Sequence, residues 1–284
     1  MLSLFGFPVL NHLRARLRPR LHALLSAQAV VLDAGANAKA PLAVHPLAPQ
    51  SPAGPVSLDP AVGHLLRLLD QPAAQGRSLQ LVVSDHWLHP ALLTLPDPSC
   101  SDQIIQKMLA DHYRQVYGDL ADAWCWTWQR HASRLLALAW PQAAMQALQS
   151  GLAQRQCVLT SALPLSLALT QGVPLPVGAS WLIVASAESA TLLRQDQGVL
   201  QDWCVLQGTQ LAQNVSTELA RSAARRGDAC KAVQILTLNA ANDATALCQA
   251  LLQAGWQASL LADNGRTQHW ATRLHQAASA HPSA

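Results

Sequence analysis

His86-Trp87-Leu88-His89 is the spacing in this chain that most resembles a metal-binding pair, since imidazoles three residues apart share one face of a helix. Pro90 follows at once and strand-like apolar runs flank the pair, so a polar turn is expected there instead of a helix. No cluster of cysteines or carboxylates nearby supplies the remaining ligands. Ser84, Asp85 and His86 have the residue types of a nucleophile, an acid and a base. Adjacent residues of an extended segment point to opposite faces, so these three cannot form a relay. No G-x-S-x-G elbow occurs anywhere. The six cysteines (Cys100, Cys125, Cys157, Cys204, Cys230, Cys248) include no C-x-x-C pair, and several sit in apolar runs. Reduced, buried thiols in a reducing compartment are the expectation. No complete catalytic or metal site can be assembled from these residues, so the expectation is a protein that is not an enzyme.

Two further groups point to partners. Arg14, Arg16, Arg18 and Arg20 interleave with Leu13, Leu17 and Leu21, and no acid appears before Asp33. Leu13, Leu17, Leu21 and Leu24 have the spacing of one helix face, which Pro19 would kink. Residues 1–26 are therefore read as a basic amphipathic leader. It could touch an anionic membrane surface or an acidic partner groove, or be a peripheral helix with a solvated face. Trp124, Trp126 and Trp128 alternate as on a strand, placing three rings on one face. They suit a core face under a helix, or a partner-binding surface, where Trp is enriched.

Composition narrows the classes. Charged residues make up only 12% of the 284, against about 25% in ordinary soluble domains, so part of the surface is expected to be hidden against a partner. A net charge of +3 without a Lys/Arg stripe argues against nucleic acid. No segment reaches the ~18 unbroken apolar residues of a membrane-spanning helix. The apolar start, Met1 to Leu10, precedes its arginines, the reverse of a secretory signal. A cytoplasmic protein, peripheral at most to the membrane, is expected.

The elements that must position these residues alternate between strand and helix. Ala29–Leu32 and Leu42–Leu47 read as a hairpin, and residues 58–69 as a helix with Pro60 in its first turn. Leu79–Val83 reads as a buried strand with Ala91–Leu95 as its partner. A helix is expected over Asp102–Tyr117, strands over Trp124–Trp128 and Leu135–Trp140, a helix over Pro141–Gln154 and a strand over Cys157–Leu163. Gly172 to Gly178, with Pro174 and Pro176, marks a boundary. Beyond it come strands at 181–186, 191–194 and 199–206, the last two turned by Gln195-Asp196-Gln197-Gly198. A helix at 210–225, a strand at 232–238, a helix at 244–254 and a strand at 257–261 follow. The domain reading is a first lobe over 27–172, a second over 173–265 and a polar tail over 266–284. Each lobe opens with strands and continues as alternating helix and strand: architecture is duplicated, sequence is not.

This layout resembles the actin-like ATPase fold, and within it the pilus-assembly PilM proteins and the cytoplasmic domain of the secretion protein GspL. Asp33-Ala34-Gly35-Ala36-Asn37-Ala38-Lys39 is similar to that family's first phosphate loop. Leu81-Val82-Val83-Ser84-Asp85-His86-Trp87 resembles a strand–turn–strand of GspL-like proteins. Tyr117-Gly118-Asp119 with Trp124 resembles the place where such proteins leave a helix and enter the next strand. The resemblance spans roughly residues 28–262 and implies a two-lobed α/β (ribonuclease H-like) fold with mixed sheets. In the first loop a Gly-rich turn can offer N–H groups to phosphate, an Asp can hold a metal-bound water and a Lys can neutralise charge. Asp33, Gly35, Asn37 and Lys39 have those types, with the Lys one residue closer to the Asp than in the family. In the second loop Ala185 and Ala187 stand where the family has Asp and Gly. Leu238-Asn239-Ala240-Ala241-Asn242 stands where it has a Gly-Gly adenosine turn. The resemblance thus implies a degenerate nucleotide site, no cofactor, and a cytoplasmic scaffold of a type IV pilus or type II secretion-like machine that binds integral membrane or platform proteins. The alternative is a nucleotide-binding enzyme of the same superfold, a small-molecule kinase or ATPase.

Overall fold

Leu21-His22-Ala23-Leu24-Leu25 is a nearly continuous apolar run, the pattern of a strand covered on both faces. The computed structural model describes residues 19–33, 43–47, 57–72, 74–170, 178–186, 189–208, 210–227, 230–237 and 241–261. In it, Arg20–Leu25 is strand β1 at the centre of a five-stranded sheet. This corrects the helical reading at Leu21 and Leu24; the rest of the expected leader, residues 1–18, lies outside the described residues. Pro19 lacks an N–H and disfavours helix in the residue before it, while β1 gains a full ladder on each side. It pairs antiparallel with β2 (Ala29–Asp33) and parallel with β4 (Ser78–Val83). Arg20 is exposed at the strand's start, and Arg14, Arg16 and Arg18 lie outside the described residues.

The chain forms two compact units that divide between Ala168 and Leu169. In the first, β3 (Ala43–Pro46) and β8 (Val158–Pro164) complete the sheet in the order β3-β2-β1-β4-β8. Helix α1 (Asp59–Leu68) turns Ala61, Val62 and Leu65 inward. Helix α3 (Gln142–Gln154) packs so closely on it that a Cβ on Gly151 would lie 2.5 Å from the Leu66 methyls.

A second, three-stranded sheet has the order β5-β7-β6, with β5 at His89–Thr94, β6 at Trp124–His131 and β7 at Arg134–Pro141. The expected pairing of Ala91–Leu95 with Leu79–Val83 does not form. Both edges of β4 are taken, by β1 and β8, so β5 pairs with β7 instead. Helix α2 (Asp102–Tyr117) covers this sheet with Ile105, Leu109 and Tyr113. It starts where Ser101 accepts a hydrogen bond from the Ile104 N–H and stops at Gly118, whose φ of 61° suits only glycine comfortably.

Helix α4 (Leu165–Thr170), which the sequence pattern did not disclose, runs across the division between the units. The second unit repeats the first sheet's plan. Strands β9 (Ser180–Ala185), β10 (Ser189–Asp196), β11 (Val199–Gln207), β12 (Ala232–Thr237) and β13 (Gln257–Leu260) lie in the order β11-β10-β9-β12-β13. As in the first unit, the opening strand is antiparallel to the second and parallel to the fourth. Helices α5 (Leu211–Arg226) and α6 (Ala241–Gln253) close a core of Trp181, Ile183, Leu192, Val215, Leu219 and Ile235. Register repeats too: Gln80 faces Ser161 in the first sheet, and Gln234 faces Ser259 in the second.

Candidate functional site

With β1 in place, the turn after the first strand of the first unit is Ser26-Ala27-Gln28, and its counterpart in the second unit begins at Ser186. Both turns are closed in the same way. The Ser26 N–H and hydroxyl both donate to the Ala29 carbonyl, at 3.0 and 2.9 Å, and the Ala29 N–H donates to Ser26 Oγ at 3.0 Å. The Ser186 N–H and hydroxyl donate to the Ser189 carbonyl at 2.9 and 3.1 Å, and the Ser189 N–H donates to Ser186 Oγ at 3.2 Å. Ser26 and Ser186 occupy one topological position, and the residues that follow them are alike in sequence, Ala27-Gln28 and Ala187-Glu188. The N–H groups at the ends of both turns are spent inside the turn.

Asp33-Ala34-Gly35-Ala36-Asn37-Ala38-Lys39 falls one hairpin later, between β2 and β3. Asp33 is the last residue of β2, buried, and in register with His22 of β1. Gly35, Asn37 and Lys39 lie outside the described residues, as do Ala187 and Leu238–Ala240. Ala185 ends β9 opposite Ala190. The described turn residues Ser26, Ala27 and Gln28 include neither a glycine nor a carboxylate.

His86 and His89 do not come together as ligands. His86 sits in a 3-10 turn, Asp85–Trp87, and His89 opens β5. Among the described residues no group of three potential ligands could hold a metal ion. The His89 ring stacks on Trp124 at 3.9 Å and meets Tyr117 edge-on at 4.9 Å. Burial there lowers its pKa to about 4. None of the six cysteines forms a disulfide, and burial pushes the Cys204 thiol up to about 11, away from a reactive thiolate.

The tryptophan ladder faces inward. Trp126 stacks on Tyr113 of α2 at 5.8 Å, Trp124 meets Tyr117 edge-on at 4.9 Å, and Trp128 packs against the same cluster. The three rings are half-buried and pack against the core cluster under α2. Burial also raises the Tyr113 phenol, whose O–H donates to the His89 carbonyl at 2.8 Å. Sequence reasoning missed one buried polar link, Asp85 to Ser166. The two residues are far apart in sequence, and no motif links them.

The sequence matches no protein-family model and no curated protein. Solved structures are similar over nearly its whole length. One is a protein of actin-like ATPase fold and unknown function from Bacteroides thetaiotaomicron VPI-5482, with TM-score 0.62, 10% identity, and 94% of this chain and 99% of that one covered. Another is the PilM-PilN type IV pilus biogenesis complex, with TM-score 0.60, 13% identity, and 92% of this chain and 97% of that one covered. The cytoplasmic domain of EpsL, an inner membrane component of the type II secretion system of Vibrio cholerae, has TM-score 0.49 at 12% identity, covering 93% and 96%. The fold of this chain is the actin-like ATPase fold.

Proposed function

We propose that this chain is a non-catalytic, actin-like assembly component of a type IV pilus or type II secretion-like machine. It works on the cytoplasmic side of the inner membrane and binds platform proteins there. One observation carries the non-catalytic part: Ser26 and Ser186 close the turn after the first strand of each unit on itself. A turn that spends its own end N–H groups and, at Ser26, lacks glycine and carboxylate is poorly suited to cradle a phosphate. The likeness to the PilM-PilN complex, nearly complete in both directions, supports the choice of machine. No described helix is long and apolar enough to cross a membrane, in keeping with a role that depends on membrane-bound partners.

Cross-linking the native protein in its host and identifying the partners tests the assembly role. Pilus or secretion platform proteins are expected, and a set of soluble metabolic enzymes overturns it. Phosphate release from Mg-ATP by the purified chain, abolished by a substitution within either turn, would instead establish a nucleotide enzyme.

A further inference from the structure

Among the described residues three sheets leave six edge strands, and five of them are blunted. β3 is four residues long and ends in Pro46, β13 is four residues long, and β5 carries Pro90. β8 ends in Pro164 and shifts register against β4, while β11 bears Asp202 at mid-strand and borders a register shift in β10. Short length, proline, bulges and charge are the devices that keep sheet edges from joining.

β6 has no proline, no bulge and no charge before Arg130, its seventh residue. It is eight residues long and pairs with β7 without a shift from Trp124 opposite Pro141 to His131 opposite Arg134. Trp124-Cys125-Trp126-Thr127-Trp128-Gln129 contains no charge and no proline, and its residue types favour extended backbone. At the start of β6 the Trp124 N–H donates to the Ala121 carbonyl; among the described residues no other backbone hydrogen bond reaches β6 on the side away from β7. The strand's fixed charge, Arg130, lies near one end and is held by Asp102.

We propose that β6 is where two copies of this chain join, edge to edge and antiparallel, about a two-fold axis at Thr127. The strand is complementary to itself in that alignment. Trp126 of one copy faces Trp128 of the other, so all six rings stay on the face already covered by α2. Arg130 of each copy lies across from Trp124 of the other, a cation over an aromatic face. A parallel alignment would set Arg130 against Arg130, a like-charge contact. An unrelated extended peptide would satisfy the same backbone groups but has no counterpart to this pattern of rings and charge. The inference does not rest on the pilus or secretion reading, because it uses only the sheet edges.

Sedimentation of the full chain at up to about 100 µM tests it. The expected result is a concentration-dependent species of twice the 30.4 kDa chain mass. Gln129 is exposed, so Gln129→Lys is expected to leave the melting temperature unchanged and weaken dimerisation by about tenfold, as edge lysines do. Gln129→Thr, which keeps the strand neutral, should still dimerise. A monomer throughout that range overturns the proposal, and so does a dimer that survives Gln129→Lys unweakened.

Discussion

The carboxylate of Asp85, in the turn after β4, accepts two hydrogen bonds from Ser166, one from its backbone N–H at 2.8 Å and one from its hydroxyl at 2.5 Å. Both residues are buried, and the contact ties the end of the central sheet to the first turn of α4. Hydrogen bonds to a buried charged acceptor contribute about 1.5–3 kcal/mol each. Asp85→Ala should therefore lower stability by about 3 kcal/mol, and Ser166→Ala by less, since it keeps the backbone donor. Urea unfolding of both single variants and the double variant checks this; additive losses would mean the two residues act independently.

Closed turns make a prediction about nucleotide. Ligand in millimolar excess over a micromolar site would add about 4 kcal/mol of stability. Mg-ATP is expected to leave the melting temperature of this chain unchanged. A rise of several degrees would show that a phosphate site survives elsewhere in the fold.

Acid should destabilise the aromatic cluster. The His89 pKa falls to about 4 in the folded chain because burial disfavours the cation, against about 6.5 when unfolded. The folded state then binds fewer protons than the unfolded state across that interval. Stability is fully present above about pH 6.5 and falls as the pH drops toward 4. Burial lowers His86 and His112 as well, and they add to the same slope. His89→Phe keeps a ring against Trp124 and cannot titrate. Melting temperatures at pH 7.5 and 5 should differ less for that variant than for the wild type.

Gln197 and Gly198 turn the β10–β11 hairpin with φ of 49° and 75°. Positive φ at both central residues is the type I′ arrangement, for which Asn-Gly is the favoured pair. A left-handed glutamine costs roughly 1–2 kcal/mol, part of which asparagine relieves. Gln197→Asn should raise the melting temperature by a few degrees. No gain would mean that the turn is held by the strands alone.

Much of this architecture could be read from the residues, and the failures share one origin. Helix α2 is legible in its apolar spacing and in Tyr117-Gly118-Asp119 at its end, and the β10–β11 hairpin in Gln195-Asp196-Gln197-Gly198 between apolar runs. β1 was hidden because Leu17, Leu21 and Leu24 fit helical spacing as well as a buried strand, and only the ladder to β4 decides between them. Without β1 the first sheet lacks its central strand, while the later elements of the first unit lie where the sequence pattern puts them. Asp33-Ala34-Gly35 follows β2, whereas the turn after β1 is Ser26-Ala27-Gln28, whose likeness to the turn at Ser186 is visible only once both opening strands are in place. The Asp85–Ser166 link left no trace in sequence because its partners meet only after the sheet and α4 are assembled.

The order in which β1 and its neighbours are synthesised has a consequence for birth on the ribosome. β1 can close at once with β2, but its parallel neighbour β4 follows only at Ser78–Val83. At about 5–20 residues per second, the edge formed by Leu21–Leu25 waits about 3–10 seconds for its cover. During that interval the future centre of the sheet is an exposed apolar edge, open to chaperones or to a neighbouring nascent chain. Slowing translation between Leu25 and Val83 with rare codons should therefore lower the soluble yield, while slowing it after Pro164, when β8 has been made, should not.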